Sequence, residues 1–385
     1  MNSRADRSTY DSWWWTIDRV ALILMLILIT IGLMLAFAAS PAASGTTLIA
    51  GDFRYTAKQI VYAIIAAGIL GGASVLSLQQ LKLAAAIVFA LALIGSGLVL
   101  LIGNEVLGAT RSIDLGLFSL QPSEFLKPSF AVLAAAVIAD RQDFKMPKPL
   151  ITLLLILPAI LILLRQPDVG QTTLLLALWA AMLFFSGASL RWMGALGGGM
   201  AVLAVGAYTL FPHVHHRIEQ YFNPTDPGGQ ASLALKAFAH GGLMGVGPGI
   251  GSVKYRIPEA NSDFVFAVAG EEFGLILCGV IAILFCLLTV RLLLRAADQR
   301  DRFSQLAGAG LATVTALQAF INMGVAVNLL PAKGMTLPFI SYGGSSMISL
   351  AYGVGMMLAL TRLRPRTEME SIGDANDAHA VRGYA

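Results

Sequence analysis

Apolar residues dominate this chain in ten long runs that short polar segments separate. A helix needs about 20 apolar residues to cross roughly 30 Å of hydrocarbon, and most of the runs approach or exceed that length. The predicted spans cover, to within about 3 residues, 18–39, 57–76, 81–103, 124–140, 149–165, 170–188, 190–211, 264–292, 303–330 and 344–361. Pro128 and Pro158 lie in the short fourth and fifth spans and predict kinked or tilted helices there. The pattern therefore predicts an all-α polytopic membrane protein with ten transmembrane helices.

The composition supports this fold class. Of the 385 residues, 57% are hydrophobic and only 12% are charged, too few charges to cover a water-soluble domain of this size. The formal net charge is +4, and the chain has no basic stripe with interleaved aromatic residues, so we expect no nucleic-acid partner. The run Trp13–Trp15 is typical of an aromatic anchor at a membrane interface. It favours a first transmembrane helix over a cleaved signal peptide.

The distribution of Lys and Arg predicts the orientation. With the N-terminus inside, 16 of these residues fall on the inner side and 10 on the outer side, although the outer loops are longer. This bias places both termini in the cytoplasm. We expect a cytoplasmic segment over 1–17, a ten-helix domain over 18–366 and a polar, disordered cytoplasmic tail over 367–385. The longest connections are 104–123 and 212–263, the second being a large extracytoplasmic loop between helices 7 and 8.

Polar groups suited to phosphate and sugar binding gather in the predicted outer loops. The first loop holds Arg111, Gln121, Ser123, Glu124 and Lys127. A structural explanation exists for two of them, since Ser123 could cap the next helix and Glu124 could complement its dipole. That explanation leaves the two flanking cations unexplained, so we predict a binding role for the group.

A second outer segment, Arg165–Gln171, is a polar hinge between two apolar spans. A tight turn would explain its proline, glycine and Asp168. It would not explain Arg165 or the two glutamines, Gln166 and Gln171, at this depth, so a structural and a binding role both stay open for this segment.

A third outer segment, Pro331–Ser346, contains two prolines among its first eight residues and three glycines, which forbid a regular helix. Irregular backbone at membrane depth is tolerated where it is buried in protein or lines a wet cavity. Hydroxyl groups at the start of the following helix suit a phosphate or a sugar. The predicted binding residues are Lys333, Thr336, Ser341, Tyr342, Ser345 and Ser346.

The last outer segment carries the most informative residue, Asp263, where a polar loop enters an apolar helix. An ionisable residue at this boundary is costly and indicates a functional site. Glu271 and Glu272 follow in the first turns of the helix. We expect one of them to be a solvated partner of the helix dipole and the other to share the cavity of Asp263.

The loop before Asp263 is rich in glycine between residues 241 and 251, with neither a Walker nor a dinucleotide pattern. These glycines predict a flexible or closely packed turn that leads to Lys254 and Glu259. His213, His215 and His216 lack a matched pattern of cysteines or carboxylates, so we assign them no metal site.

Read together, these segments resemble the SEDS family (shape, elongation, division and sporulation proteins). The matching blocks are Gln121–Lys127, Gln166–Gly170, Pro258–Gly274 and Leu330–Ser346, and the run Lys333–Pro338 looks like that of the division members. The resemblance implies a peptidoglycan glycosyltransferase that uses lipid II, an undecaprenyl-pyrophosphoryl disaccharide-pentapeptide. It also implies that Asp263 is the essential carboxylate, which suits a general base for the acceptor hydroxyl.

The same resemblance implies the surroundings of the reaction. Arg111, Lys127, Lys254 and Lys333 could compensate the leaving pyrophosphate, with a divalent cation such as Mg or Mn as an open addition. The expected partners are a class B penicillin-binding transpeptidase and other proteins of the division machinery. The expected location is the bacterial inner membrane at the division septum.

Two other functions stay open. A lipid II flippase would also use ten helices and buried ionisable groups, but it needs a hydrophilic path to both leaflets, and the polar motifs here cluster on the outer side. A scaffold that only recruits a transpeptidase would tolerate the loss of the Asp263 carboxylate.

Overall fold

The computed structural model describes residues 9–44, 53–106, 109–114, 119–142, 145–210, 215, 219, 221, 229–331 and 334–362. The predicted tail over 367–385 and Lys333 therefore lie outside the described residues. The helices are α1 Thr9–Thr16, α2 Arg19–Ser44, α3 Arg54–Ser74, α4 Leu78–Ile102, α5 Ser123–Ala139, α6 Lys148–Arg165, α7 Val169–Ser186, α8 Leu190–Leu210, α9 Gln230–Gly241, α10 Val265–Ala297, α11 Arg302–Ala326 and α12 Gly344–Leu360. A helix occupies each of the ten predicted spans.

The architecture is a bundle of membrane-spanning helices, which confirms the predicted fold class. In the part of the chain that the structure describes, eight helices are long and apolar enough to cross a membrane, namely α2, α3, α4, α6, α7, α8, α10 and α11. Helix α12 is apolar but shorter, and α5 has 17 residues with Glu124 and Lys127 in its first turns. The figure of ten crossings stays a prediction.

The bundle has a packed centre and a lipid-facing shell. The hydrophobic window of α11 is 72% buried inside the protein, whereas that of α4 is only 28% buried. The exposed side of α4 carries Leu83, Ile87, Leu91 and Ile94 at helical spacing, an apolar face that suits lipid rather than water. Together with α5 and α12, α11 forms the core against which the outer helices pack.

Small residues let the central helices approach closely. A Cβ atom on Gly355 of α12 would lie 2.7 Å from the Leu70 carbonyl oxygen of α3. Such close backbone approach is the usual basis of helix packing in membranes, because lipid tails are as apolar as the side chains and there is no hydrophobic driving force between helices. The α3–α12 contact places the segment before α12 beside the start of α3.

The connection 104–123 is more ordered than a loop prediction implies. It contains three short antiparallel strands, β1 Asn104–Val106, β2 Ala109–Asp114 and β3 Ser119–Leu120, in the order β1-β2-β3. The strands β1 and β3 are too short to show an alternating apolar pattern, and the six residues of β2 do not alternate strictly between apolar and polar, so the sequence did not predict them.

The large connection 212–263 is also structured where it is described. It contains α9 and a short 3₁₀ helix, Val253–Arg256, and it packs against a break in α10. At that break Gly274 has φ 81° and ψ 176°, which is not a helical conformation. The break frees backbone groups of α10 that would otherwise bond along the helix.

The glycine-rich segment after α9 satisfies those freed groups. The Glu271 and Glu272 carbonyls accept from the amides of Val246 (3.0 Å) and Gly247 (2.9 Å), and the Leu275 amide donates to the Gly242 carbonyl (3.0 Å). A Cβ on Gly274 would lie 2.2 Å from the Leu243 carbonyl oxygen. Of the two alternatives for these glycines, the closely packed one therefore holds.

Ion pairs hold the C-terminal end of α10 to the start of α2. Arg291 and Arg295 donate from Nε to Oδ2 of the buried Asp18, at 2.8 and 2.6 Å. Burial tends to raise the pKa of Asp18, but the hydrogen bonds from the two arginines outweigh it and hold that pKa below its usual value.

Candidate active site

Asp263 lies two residues before α10, in a turn that several hydrogen bonds hold in place. The amides of Ser262, Asp263 and Phe264 all donate to the Glu259 carbonyl, at 3.1, 3.1 and 3.2 Å, and Glu259 has a positive φ of 56°. Asn322 of α11 donates from Nδ2 to the Asp263 carbonyl at 2.8 Å. The backbone of Asp263 is thus fixed while its side chain is partly exposed.

The segment before α12 docks directly on this turn. Ser341 Oγ donates to the Ser262 carbonyl at 2.5 Å and accepts from the Leu337 amide at 2.7 Å. The Tyr342 amide donates to the Asn261 carbonyl at 2.9 Å. The turn that carries Asp263 and the segment before α12 lie some eighty residues apart in the sequence but form one surface in the structure.

Tyr342 brings an aromatic cluster to this surface. Its ring packs edge-on against Tyr55 of α3, with 5.1 Å between the ring centroids, and lies 6.1 Å from the ring of Tyr62. Burial, followed by the two neighbouring tyrosines, raises the pKa of the Tyr342 hydroxyl above its usual value. The hydroxyl therefore stays protonated at neutral pH and can exchange hydrogen bonds but not serve as a base.

A network of polar side chains, buried except for Thr336, lies in the centre of the bundle below this surface. We call it the polar core cluster, and it consists of Glu124, Lys127, Gln171, Gln318, Thr336 and Ser346. Lys127 Nζ lies 2.7 Å from Glu124 Oε2 and donates to Gln318 Oε1 at 3.3 Å. Gln171 Nε2 donates to Glu124 Oε1 at 2.5 Å. The cluster thus links three of the blocks that the sequence singled out.

Gln318 joins the cluster to the third outer segment. Its Nε2 donates to Ser346 Oγ at 3.2 Å and to Thr336 Oγ1 at 3.3 Å, and these two hydroxyls are 2.6 Å apart. Thr336 is partly exposed, whereas Ser346 is buried. Thr336 is therefore the member of the cluster nearest to the outer surface.

A second buried ion pair holds the large loop onto α10. Lys254 Nζ is paired with Glu272 Oε1 and also donates to the Ala38 carbonyl of α2 at 2.8 Å. The side chains of Lys254 and Glu272 are fully buried. The pair ties together the loop, α10 and α2 at the level of the α10 break.

Glu271 is equally buried, and its side chain caps the 3₁₀ helix Val253–Arg256 although the two are far apart in the sequence. Its carboxylate accepts from the amides of Val253 and Lys254, each at 2.8 Å, and lies 2.9 Å from Nδ1 of the half-exposed His240. The expectation that one of the two glutamates is solvated is therefore wrong, because both carboxylates are taken up by the folded loop.

Several other predicted site residues also serve the fold. Asp168 accepts from the Gln171 amide at 3.1 Å as the N-cap of α7, and Gln166 donates to the Ser96 carbonyl at 2.7 Å. Ser345 accepts from the Gln121 amide at 2.9 Å. Ser123 is buried in the first turn of α5, while Gln121 and Glu259 reach the surface. Arg111 lies on β2.

Sequence reasoning missed Gln318, Asn322 and His240. The first two lie on one face of α11 with Thr315, at spacings of three and four residues in an otherwise apolar helix. Buried polar residues at helical spacing in a membrane span indicate an internal polar contact, so that signal was available. His240 offered no comparable signal, because its partner is 31 residues away.

Comparison with known proteins places these features in a family. The sequence model of the FtsW/RodA/SpoVE family, described as cell cycle protein, matches residues 18–365. The probable peptidoglycan glycosyltransferase FtsW of Caulobacter vibrioides is 39% identical over 366 residues, which cover 94% of each chain. That of Geobacter sulfurreducens is 35% identical over 361 residues, covering 90% of this chain and 96% of the relative.

Two solved structures share the fold. One comes from a peptidoglycan synthase complex described as coordinating polymerization and crosslinking, with a TM-score of 0.74, 25% identity and coverage of 90% of this chain and 97% of that one. The other is a mutant of the Thermus thermophilus rod shape determining protein RodA, with a TM-score of 0.69, 25% identity and coverage of 91% and 99%.

Proposed function

Because the chain belongs to the FtsW/RodA/SpoVE family of cell cycle proteins, the SEDS family, we propose that it is a septal peptidoglycan glycosyltransferase. It is a multi-pass protein of the inner membrane, and its substrate is lipid II. Relatives that share more than a third of its residues over nearly its whole length are named for this activity.

The observation that carries the mechanism is the placement of Asp263. A partly exposed carboxylate lies on a turn whose backbone is held by α11 and by the segment before α12. Fixing a general base in this way reduces the reorganisation needed for proton transfer. Asp263 takes the proton of the acceptor 4-hydroxyl as that oxygen bonds to the anomeric carbon of the donor. The bond from that carbon to the lipid pyrophosphate breaks, and the pyrophosphate leaves with the electron pair.

The leaving pyrophosphate needs compensating charge, and the structure narrows the choice among the four predicted cations. Lys127 and Lys254 are buried in ion pairs with Glu124 and Glu272, so their charges are already compensated. We therefore assign the pyrophosphate to the loop cations Arg111 and Lys333. We assign binding of the sugar hydroxyls to four residues that are at least partly exposed, namely Gln121, Glu259, Thr336 and Tyr342.

A divalent cation would have to share its ligands with the substrate. Among the described residues, no three His, Cys, Asp or Glu side chains come together as a metal site. Asp263 and Glu259 lie in one turn and offer two carboxylates to such a cation. It would add positive charge beside the pyrophosphate, and its presence stays a prediction.

A partner and a location complete the proposal. A class B penicillin-binding transpeptidase would crosslink the strands, in line with the solved synthase complex that resembles this chain. Association with other division proteins, septal placement and cytoplasmic termini follow from the family and from the charge bias of the loops.

The core of the bundle favours this enzyme over a flippase. In the described residues, the polar core cluster lies in the outer half of α5, α11 and α12. Towards the other end α11 packs through apolar contacts, with Met182 of α7 against Gly310 and Met357 of α12 against Gly308. A flippase would need a connected polar path for the headgroup through this part of the core, and the side chains that the structure describes there are mainly apolar.

The test is polymerisation of purified lipid II by this protein together with its cognate transpeptidase. We expect glycan strands from the wild type and none above background from Asp263→Asn. Asp298→Asn, at the other end of α10, is the matched control and should retain activity. Equal product from wild type and Asp263→Asn would remove Asp263 from the chemistry and favour a scaffold. Transbilayer movement of lipid II without polymer would favour a flippase.

A further inference from the structure

Four helix ends meet at the end of the bundle opposite Asp263. Helices α5 and α7 end there, and α6 and α11 begin there, enclosing a cleft of about 320 Å³. Arg302, which lines the cleft, and Asn322, which holds Asp263, are 20 residues apart on α11, a distance of about 30 Å. The cleft is therefore remote from the proposed active site and lies at the other membrane face.

Two cations, Lys148 and Arg302, line this cleft. Lys148 Nζ donates to the carbonyls of Ile138, at 3.2 Å, and Asp140, and Arg302 Nη2 donates to the Ser186 carbonyl at 3.1 Å. Each cation thus caps the C-terminus of a neighbouring helix. Capping alone is a structural role, but it uses only part of the three donors of a lysine and the five of an arginine.

The charges of the two cations are not compensated by carboxylates among the described residues. The nearest acidic residues in the described part of the sequence are Asp140 and Asp301. Asp140 accepts from the Gln142 amide at 3.0 Å, and Asp301 accepts from the Ser304 amide at 3.0 Å as the N-cap of α11. Both carboxylates are thus bonded to backbone of their own segment, and in the described residues neither forms an ion pair with Lys148 or Arg302.

We propose that this cleft binds the phosphate of an anionic phospholipid from the leaflet on that side. Lys148 and Arg302 are the first residues of two membrane spans, which places them at the depth of lipid headgroups. Pro149 and Leu183 supply apolar lining beside the two cations. Basic pockets between helix ends on the cytoplasmic side are a recognised setting for anionic headgroups. The volume falls within the roughly 300–1,000 Å³ of small-molecule sites.

The experiment measures phospholipid retention by the purified full-length chain in detergent micelles, by native mass spectrometry during titration with phosphatidylglycerol. The main variant is the double change Lys148→Gln and Arg302→Gln, whose amides can still donate to the helix carbonyls. Each cation near a headgroup is expected to contribute about fivefold in affinity, so the double variant should bind about 25-fold more weakly. Phosphatidylcholine binding should not change.

Controls separate the site from general basic charge and from misfolding. Arg191→Gln removes an exposed cation that does not line the cleft and should leave phosphatidylglycerol binding unchanged. The charge-preserving change Lys148→Arg with Arg302→Lys should keep most of the affinity. If the glutamine variant unfolds, phosphatidylglycerol binding by this variant tests the proposal instead, and loss of that binding would overturn it. Unaltered binding by the double glutamine variant would overturn the proposal. So would displacement of phosphatidylglycerol by millimolar inorganic phosphate, because the occupant would then be a soluble anion.

Discussion

The buried pair Lys254–Glu272 offers the sharpest test of how this protein uses its charges. Both side chains are fully buried, and Lys254 also bonds the Ala38 carbonyl of α2. Breaking a buried pair by removing one partner costs about 3–5 kcal/mol, whereas replacing both partners by neutral groups of similar size is often close to neutral. We therefore expect Lys254→Met and Glu272→Gln each to lower the free energy of unfolding by about 3 kcal/mol.

The double variant should recover most of that loss. The two positions are in direct contact, so the single effects should not add: two single losses of about 3 kcal/mol and a double-variant loss of about 1 kcal/mol give a coupling energy of about 5 kcal/mol. The assay is equilibrium unfolding in mixed detergent micelles, with the wild type, both single variants and the double variant measured side by side. A coupling energy below about 0.5 kcal/mol would refute the ion pair as a stabilising contact.

Polymerisation of lipid II by the same four proteins then separates two roles for Lys254. If the lysine serves only to hold the loop on α10, the double variant should regain turnover along with stability. If its charge also meets the pyrophosphate, the double variant should be stable but slow. The second result would contradict the assignment of the pyrophosphate to Arg111 and Lys333 alone.

Three further predictions follow from single contacts. Gly274→Ala should lower the free energy of unfolding by at least about 2 kcal/mol, because Gly274 has a φ of 81° and its new Cβ would meet a carbonyl oxygen, whereas Gly279→Ala, with open space around it, should not. Asn322→Ala should slow polymerisation at nearly unchanged protein level, because the turn that carries Asp263 loses a fixed bond to α11; unchanged kcat would contradict this. Asp18 has a lowered pKa in the folded state, so its contribution to stability is present above the unfolded value of about 3.9 and is lost as the pH falls through the lower folded value. Unfolding of Asp18→Asn should therefore depend less on pH below about 4 than that of the wild type.

The helices could be predicted from the sequence because the membrane imposes their length and composition. An apolar run such as 81–103 can satisfy its backbone in lipid only as a helix, so its place is determined locally. Asp263 was predictable for a related reason, since a carboxylate at the entrance of such a run is costly unless it has a use. Each inference needed only the neighbouring residues.

The break in α10 could not be predicted in this way. Gly274 lies in a long apolar run, where a glycine ordinarily costs a helix about 1 kcal/mol without ending it. What makes the break tolerable is a glycine segment about thirty residues upstream, whose amides and carbonyls replace the lost helical bonds. A compensation of that kind depends on three-dimensional proximity and leaves no local pattern.

The ion pairs of the outer cations could not be predicted from the sequence either, and they suggest that different cations serve stability and turnover. The sequence places Lys127 and Lys254 beside polar motifs but does not show that Glu124 and Glu272 compensate them. The Lys254–Glu272 pair joins the large loop to α10, and the Lys127–Glu124 pair lies within α5 but is bonded to Gln318 of α11 and Gln171 of α7. Both pairs are buried, where a bare charge would cost several kcal/mol. A leaving pyrophosphate arrives from outside and needs charge that is not already committed to the fold. We therefore expect the paired lysines to affect mainly stability, and cations carried by the outer connections to affect mainly turnover.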